Sequence, residues 1–308
     1  MANLRDIKRR IRTVSSTRQI THTMEMVSTT KIMRALKRAA DGAPYKDAMT
    51  TMLVNVAAAG SSEEQPLLKE HPAVNRVLII VVASDRGLAG GFNVQVERDV
   101  ERRIVEWESK GVQTELVCCG TKPTEYFTAR GRKPILSFQG ISADPTLVEA
   151  NQIASYVMDG FTSEHLDRVE ITYQHARSRV EQRLVTEELL PVTRDTLRLP
   201  NAPREHEALS SLNPAANSEA AQDFEFDPSP AQVLGYLIPS YIRTVIYHAL
   251  IDSAAAEHGA RRRAMQAATE NADEIVTTLS REYNRIRQSS ITTEINEIVG
   301  GAAALEEK

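Results

Sequence analysis

The glycine-rich segment at residues 84–93 is the clearest candidate for catalytic or binding chemistry in this sequence. It reads S-D-R-G-L-A-G-G-F-N and follows an apolar run at 77–83 that is typical of a buried parallel strand. In open α/β sheets, phosphates bind where such a strand passes into a helix. However, the glycines do not give G-x-G-x-x-G, and the segment has no G-K-[ST] lysine to meet a terminal phosphate. We therefore interpret the glycines as allowing the loop to pack closely on the following helix, with nucleotide binding as the alternative.

Asp85 lies in this loop at the end of the strand, where a carboxylate is well placed to act as a general base. A general base needs a histidine or a second acid that converges on the same atoms, and none is near it in the sequence. The alternative role for Asp85 is structural, with its carboxylate accepting hydrogen bonds from backbone amides. We predict the structural role, and no catalytic residue.

The histidines and cysteines do not form a metal site or a disulfide framework. The seven histidines show neither H-x-x-x-H nor H-E-x-x-H spacing. Cys118 and Cys119 are the only cysteines, and they are adjacent in a strand-like run where neighbouring side chains point to opposite faces. We therefore predict no bound metal, no cofactor and no disulfide.

Length and hydropathy indicate a protein that is not inserted in a membrane. The chain has 308 residues and a net charge of −4. No stretch approaches the roughly 18 to 20 continuous apolar residues of a membrane span, and the first twelve residues alternate charged with apolar side chains, unlike a signal peptide. We expect a chain that stays in the cytoplasm.

An α/β domain is predicted at 76–192. After the strand at 77–83, the pattern indicates helices at 93–110, 122–130 and 144–160 that alternate with strands at 113–119 and 133–138. Pro145 is expected at the first position of the third helix. The strands at 168–175 and 183–189 are expected as an antiparallel pair at the sheet edge. This alternation is typical of a Rossmann-like, doubly wound sheet.

Long helices are predicted on both sides of this domain, at 1–60 and 231–300. Apolar residues recur at spacings of three and four along each helix. In the first helix they are Leu4, Ile7, Ile11, Val14, Ile20, Met24 and Val27, and in the second Met265, Ala268, Ala272, Ile275, Leu279, Tyr283 and Ile286. Gly42 and Pro44 should end or kink the first helix.

Each apolar seam needs a covering partner. The economical arrangement pairs the two terminal helices as an antiparallel coiled coil with the α/β domain inserted at its far end, and a self-dimer through either helix is the competing arrangement. Residues 193–230, which include a segment rich in Pro, Ala, Ser, Asn and acidic residues, are predicted to be a flexible linker.

The N-terminal helix is strongly basic. Its first 40 residues contain ten lysines and arginines but only two acidic residues, Asp6 and Glu25. Arg9, Arg10, Arg12, Lys31 and Arg34 are the residues we assign to a basic helix face. Nucleic acid is one conceivable partner, but the helix lacks interleaved aromatic residues. We predict contact with an acidic protein surface or with water.

The C-terminal sequence resembles a known family. Residues 283–301 read Y-N-R-I-R-Q-S-S-I-T-T-E-I-N-E-I-V-G-G, similar to the terminal signature of F-type ATP synthase γ subunits of the bacterial type. The segments R-I at 10–11, Q-I-T at 19–21, M-E-M-V at 24–27 and Lys31 resemble the first helix of that family. The segments S-D-R-G-L at 84–88 and G-F-N at 91–93 resemble a loop of its central domain. The resemblance covers the chain from end to end.

This resemblance implies a non-catalytic rotor. The two long helices would turn inside a ring of three α and three β subunits, while the α/β domain would sit beside the ε subunit on the membrane c-ring. One copy per complex, at the cytoplasmic face of the cell membrane, would couple proton-driven rotation to ATP synthesis or hydrolysis in β. The competing interpretation is a Rossmann enzyme that carries a coiled coil.

The resemblance also assigns roles to residues near the C-terminus. Arg287, Gln288 and Thr292 would hydrogen-bond a loop of one β subunit, with ordinary solvated helix surface as the alternative. An apolar bearing would be formed by Ile291, Ile295, Ile298 and Val299.

Overall fold

A computed structural model describes residues 4–58, 65–178, 181–193 and 229–306. Two long helices, α1 (Leu4–Ala58) and α5 (Pro230–Glu306), lie at the two ends of the chain. Between them come a short 3-10 helix (Pro66–Leu68), strand β1 (Arg76–Val82), helix α2 (Phe92–Ser109), strand β2 (Gln113–Cys119), helix α3 (Thr121–Ala129), strand β3 (Leu136–Phe138), helix α4 (Leu147–Thr162) and strands β4 (Arg168–Ala176) and β5 (Gln182–Leu190).

The strands form one five-stranded sheet in the order β3-β2-β1-β4-β5. β1 pairs in parallel with β2 and β4, β2 pairs in parallel with β3, and only β5 is antiparallel, on β4. This confirms the predicted α/β fold with an antiparallel pair at one edge. The sheet is buried on both faces because β1 sends alternate side chains, such as Leu78 and Ile79, into two different apolar clusters.

The two adjacent cysteines of β2 illustrate this alternation. Cys118 packs in the cluster beneath α2 and α3, and Cys119 packs in the cluster that also receives α4 and parts of both long helices. Both thiols are free and buried. Burial, together with the negative charge of Glu97, raises the pKa of Cys118 to about 12, and burial raises the pKa of Cys119 still further. The thiols are therefore inert packing groups.

The described chain divides into two compact units. The helical unit comprises Met1–Thr30 and Arg261–Lys308, and the α/β unit comprises Lys31–Ala260. Both long helices contribute to both units. The four domain boundaries expected from the sequence remain predictions, and residues 194–228 of the predicted linker lie outside the described residues.

In the helical unit, the N-terminal part of α1 pairs with the C-terminal part of α5. Arg18 forms an ion pair with Asp273 at 2.8 Å, and the hydroxyls of Thr21 and Thr269 are 2.8 Å apart. From the first contact to the second, the residue number rises on α1, from 18 to 21, and falls on α5, from 273 to 269. The two helices of this one chain are therefore antiparallel. This is the arrangement predicted from the two seams.

The residues that form the seam of α1 differ from the prediction at two positions after Val14, whereas Met24 is half-buried as predicted. Ile7 is buried and Val14 is half-buried, but the buried positions that follow are Thr21 and Ser28. Ile20 and Val27 are 61% and 52% exposed, so their assignment to the seam was wrong. The seam follows a strict seven-residue repeat from Ile7, because this repeat keeps one stripe of the helix against its partner even where the stripe carries hydroxyls.

The seam of α5 follows the prediction except at one position. Met265 and Ala272 are buried, and Ala268, Leu279, Tyr283 and Ile286 are half-buried. Ile275 is 48% exposed, and the half-buried residue at that turn is its neighbour Val276.

The helix α1 does not end at Gly42 or Pro44 but continues to Ala58. A proline inside a helix removes one backbone hydrogen bond and costs about 3 kcal/mol. The turns after Pro44 bury Met49, Leu53 and Val56 in the core of the α/β unit. This tertiary packing offsets the local cost.

Two other helix ends differ from the sequence pattern. α4 begins at Leu147, because Thr146 and Glu149 form a capping box, whereas the prediction placed the start near Asp144 and Pro145. At the C-terminus, α5 continues through Gly300 to Glu306. The three alanines at 302–304 are strong helix formers that favour this extension.

Candidate functional site

The loop after β1 is organised by the carboxylate of Asp85. Its Oδ1 accepts hydrogen bonds from the amide of Thr121 at 2.9 Å, from the Thr121 hydroxyl at 2.9 Å and from the amide of Gly140 at 2.8 Å. Its Oδ2 accepts from the amide of Ser142 at 2.9 Å. One side chain thus ties together the loops that follow β1, β2 and β3.

These contacts determine the protonation state of Asp85. Burial alone would raise the pKa of this carboxyl, but the hydrogen bonds from Ser142, Gly140 and Thr121 stabilise the anion and lower the pKa below its ordinary value. A carboxylate held as the anion by several donors is a poor general base. The structural role predicted for Asp85 is confirmed.

The same contacts argue against a phosphate at this edge of the sheet. A phosphate would need backbone amides at the carboxyl ends of the strands. The amides of Thr121, Gly140 and Ser142 already donate to Asp85, whose negative charge would also repel an anion. The loop therefore uses the phosphate-binding position of the fold for its own packing.

Close packing does not explain Gly87 or Gly91 of the loop, contrary to the prediction. A Cβ at Gly87 would meet no atom within 4 Å, and one at Gly91 would touch only the side chain of Gln95 at ordinary distance. Gly90 has a φ of 58°, which glycine adopts without strain. A glycine outside this loop that does permit close approach is Gly120, where a Cβ would lie 2.4 Å from the carbonyl oxygen of Ala83.

The C-terminal part of α5 carries the other candidate residues. Arg287, Gln288 and Thr292 are all exposed, and the hydroxyl of Thr292 donates to the carbonyl oxygen of Gln288 at 3.0 Å. This bond lies along the helix and leaves the Arg287 guanidinium and the Gln288 amide facing outwards.

The four predicted bearing residues are exposed large apolar side chains. Their exposed fractions are 46% for Ile291, 54% for Ile295, 66% for Ile298 and 62% for Val299. Their spacing of four, three and one residues places them on one face of the helix. Apolar faces of this kind on soluble proteins mark interaction sites.

The contrast with the preceding turns of α5 is clear. Up to Ile286 a half-buried residue recurs at each turn, whereas every residue at 287–299 is exposed. Because α1 begins at Leu4 and is antiparallel to α5, the coiled-coil register runs out near Ile286. The last turns of α5 therefore extend past the N-terminal helix as a single helix.

The predicted basic residues of α1 are exposed in both units. Arg9, Arg10 and Arg12 belong to the helical unit, where Arg9 forms an ion pair with Asp6 at 3.1 Å. Lys31 and Arg34, one helical turn apart, belong to the α/β unit. All five can reach a partner without unfolding any part of α1.

The sequence pattern missed an apolar surface on α1. Ile20, Met26 and Val27 are each more than 50% exposed in the helical unit. The signal was present, because extending the repeat from Ile7 and Val14 by sevens reaches Thr21 and Ser28 and leaves Ile20 and Val27 outside the seam. These side chains are available to a partner other than α5.

Other site classes receive no support from the described residues. Within 4–58, 65–178, 181–193 and 229–306, no group of three or more His, Cys, Asp or Glu side chains is arranged to hold a metal ion. Among the same residues, no helix combines the length and hydrophobicity that crossing a membrane requires.

Comparison with known proteins matches the whole chain. A sequence model of the family described as ATP synthase matches residues 3–305. The ATP synthase gamma chain of Chlorobaculum tepidum is 36% identical over 311 residues, covering 100% of both chains. That of Heliobacterium modesticaldum is 37% identical over 306 residues, covering 99% of this chain and 100% of the relative.

Solved structures share the fold at lower sequence identity. The central stalk and c-ring structure of the Tetrahymena thermophila mitochondrial ATP synthase contains a chain with a TM-score of 0.59 and 22% identity, covering 81% of this chain and 99% of that one. A chain of the Euglena gracilis mitochondrial ATP synthase, in a structure of OSCP, F1 and c-ring, gives a TM-score of 0.63 at 15% identity, covering 98% and 94% of the two chains.

Proposed function

Because this chain belongs to the family of ATP synthase gamma chains, we propose that it is the central-stalk rotor of a rotary ATP synthase. Its partners would be the α and β subunits, the ε subunit and the membrane c-ring, with one copy of this chain per complex. ATP synthesis and hydrolysis would take place in β. The chain itself would be non-catalytic and peripheral, at the cytoplasmic face of the membrane.

The single observation that carries this proposal beyond family membership is the exposed end of α5. Four large apolar side chains lie on one face of a helix that no longer has α1 beside it. Exposing this much apolar surface is unfavourable unless a partner covers it, at about 25 cal/mol per Å². A ring of subunits around the end of the helix would supply that cover and would act as a bearing.

The polar residues beside this face are proposed to act as a catch. The Arg287 guanidinium presents five N–H donors and suits a carboxylate of a β loop, and Gln288 and Thr292 add neutral hydrogen bonds. A rotor needs contacts that differ between its angular positions, because only differential contacts can change nucleotide affinity in β. A single arginine on one side of a helix meets that need.

The basic residues of α1 would act at longer range. Exposed arginines and lysines attract an acidic surface without a fixed geometry, and the attraction weakens as salt increases. We propose that Arg9, Arg10, Arg12, Lys31 and Arg34 face acidic segments of the β subunits.

A competing function is a nucleotide-dependent enzyme built on the α/β unit. The Asp85 contacts speak against it, because they occupy the amides that would hold a phosphate. The experiment that separates the two is nucleotide binding and hydrolysis by the isolated full-length chain. We expect neither activity, and saturable ATP binding by the isolated chain would favour the enzyme.

The proposed catch is tested by Arg287→Ala combined with Gln288→Ala in a reconstituted complex. We expect normal assembly but less proton pumping per ATP hydrolysed, because the catch is lost while the apolar bearing remains. Arg281→Ala is the matched control, since Arg281 is another exposed arginine on α5. Unchanged pumping in the double variant would remove the catch from the proposal.

A further inference from the structure

A polar cluster joins the long helices to the sheet inside the α/β unit. It consists of Lys46 from α1, His248 and Asp252 from α5, His175 from β4 and Glu187 from β5. Asp252 is 2% exposed and Lys46 is 7% exposed. Charged side chains are this deeply buried only when specific interactions compensate their lost hydration.

Both carboxylate oxygens of Asp252 contact the end of β4. Oδ1 accepts a hydrogen bond from the amide of Ala176 at 2.9 Å, and Oδ2 lies 2.5 Å from Nδ1 of His175. These two bonds connect one side chain of α5 to the last two residues of a sheet strand. Rotating or sliding the helix by a fraction of a turn would break both.

The packing around Asp252 makes these bonds mechanically important. The residues that follow it, at 253–256, are Ser-Ala-Ala-Ala, and all four are buried. The three alanines carry no polar side-chain atoms, and apolar contact is non-directional. Hydrogen bonds, in contrast, have strict distance and angle requirements. The two bonds of Asp252 therefore add a directional contact between this part of α5 and the end of β4.

We propose that Asp252 and His175 form a pH-dependent fastening that holds α5 on the end of β4, so that turning force passes between the helix and the sheet. The inference rests on the proposed rotor function, since only a rotor must transmit such a force. In this reading Asp252 and His175 are positioning residues that touch neither nucleotide nor proton carrier.

The charges that face His175 set the direction of the pH dependence. The hydrogen bond with Asp252 raises the pKa of His175, burial acts against it, the charges of Asp252 and Glu187 add to the increase, and Lys46 opposes it. His248 also faces the cluster, and Arg183 lies opposite His175 on β5. Because the net change is upward, the fastening is complete below the ordinary histidine pKa and weakens as the pH rises through the raised value.

The first test measures the fastening in the isolated full-length chain. The protection factor of the Ala176 amide in hydrogen exchange, in which intrinsic pH effects cancel, should fall as the pH rises above the ordinary histidine pKa. His175→Asn places an amide donor near the position of Nδ1 and cannot titrate, so its protection should stay constant. Protection that changes equally in both proteins, or in neither, would overturn the pH-dependent fastening.

The second test measures force transmission in the reconstituted complex. Asp252→Ala should lower proton pumping per ATP hydrolysed at every pH, and His175→Asn should pump as well as wild type at low pH and better at high pH. Asp144→Asn is the control, because Asp144 forms an exposed ion pair with Arg38 of α1 and so removes a different bond between helix and α/β core. Asp252→Ala behaving like Asp144→Asn would overturn the transmission role.

The two tests separate this inference from the function on which it rests. If the protection factors behave as expected but no complex containing the wild-type chain couples ATP hydrolysis to pumping, the rotor function is wrong. If the wild-type complex couples and Asp252→Ala couples equally well, the fastening is wrong. Should Asp252→Ala fail to assemble, Asp252→Asn replaces it, because Asn keeps one acceptor for the Ala176 amide but loses the ion pair.

Discussion

At the residue scale, the aspartate at the end of β1 shows how a catalytic-looking position can be purely structural. Asp85 has the location of a general base, yet its four acceptor contacts lie with the loops after β2 and β3. A sequence shows the carboxylate and its neighbours but not the three amides that reach it from 36, 55 and 57 residues away. The structural role of Asp85 could be expected because no catalytic group is near it in the sequence. The groups that donate hydrogen bonds to it could not be predicted.

Replacing Asp85 should be costly to stability. Asp85→Ala leaves the amides of Thr121, Gly140 and Ser142 without their acceptor, and hydrogen bonds to charged groups are each worth about 1.5–3 kcal/mol. We expect a loss of about 2–4 kcal/mol in the free energy of unfolding, measured by urea denaturation of the α/β unit's near-ultraviolet signal. Asp144→Ala, at an exposed position, should cost less than about 1 kcal/mol. Equal losses would contradict the structural role.

The pH dependence of Asp85 has a definite sign. Because its pKa is lowered in the folded chain, its contribution to stability is present above the unfolded value of about 3.9 and is lost as the pH falls through the lower folded value. Wild type should therefore lose stability on acidification below about pH 4 more steeply than Asp85→Asn. Parallel acid titration curves of the two proteins would exclude this.

The two cysteines should be unreactive in the folded chain. Burial raises the pKa of both thiols, so neither forms a thiolate near neutral pH. We expect no reaction with a thiol reagent under native conditions and reaction of both cysteines in denaturant. Ser289→Cys, at an exposed position on α5, provides the positive control and should react at once.

At the element scale, the seam of α1 shows that an apolar pattern predicts a long helix and its pairing more reliably than it predicts which residues are buried. The antiparallel pairing and the long helices followed from apolar spacing, because a long amphipathic helix must cover its stripe. The choice of stripe was wrong at two positions after Val14, where apolar Ile20 and Val27 were preferred to Thr21 and Ser28, although Met24 is half-buried as predicted. In a sequence, apolar residues that stay exposed on a helix look the same as residues of the intramolecular core.

This difference can be measured with two matched substitutions in the helical unit. Ile7→Ala removes a buried side chain from the coiled coil and should destabilise it by about 2 kcal/mol or more. Ile20→Ala removes an exposed one and should change stability by less than about 0.5 kcal/mol. Amide hydrogen exchange in residues 4–30 reports this unit selectively. Greater loss of protection in Ile20→Ala would contradict the observed seam.

His248 of α5 gives the fold a second pH dependence, on the acidic side. Burial lowers the pKa of His248 to about 4, with Lys46 and His175 acting in the same direction and Asp252 against them. The unfolded chain binds this proton more tightly, so acidification from neutral pH to about pH 5 should cost about 2 kcal/mol. His248→Gln should lose this slope in urea titrations, and an unchanged slope would refute the assignment.

At the scale of the whole molecule, the order of elements was more predictable than their ends. The alternation of β1 to α4 and the antiparallel β4–β5 pair were confirmed. The helix at 1–60 was predicted, but with an end or a kink at Gly42 or Pro44, and the start of α4 was placed near Asp144 and Pro145. Burial of Met49, Leu53 and Val56 accompanies the continuation of α1 to Ala58, and a local capping box starts α4 at Leu147. Tertiary packing and capping outweighed the proline signals.

The division of labour in the proposed rotor follows from the same features. The α/β unit has the fold of a nucleotide-binding domain but uses its phosphate position for Asp85. The end of α5 has no catalytic group but exposes an apolar face beside Arg287 and Gln288. We therefore propose that function lies in the surfaces of this chain that contact other subunits. These surfaces act only within the assembled complex.

The most direct test of the rotor is to watch the chain turn. Because the native thiols are buried, Val105→Cys, at an exposed position of α2, can carry a single marker on the chain in an immobilised complex with α and β subunits. On addition of ATP, we predict sustained rotation of the marker in one direction. A complex that hydrolyses ATP at the normal rate while the marker remains stationary would contradict the rotor function.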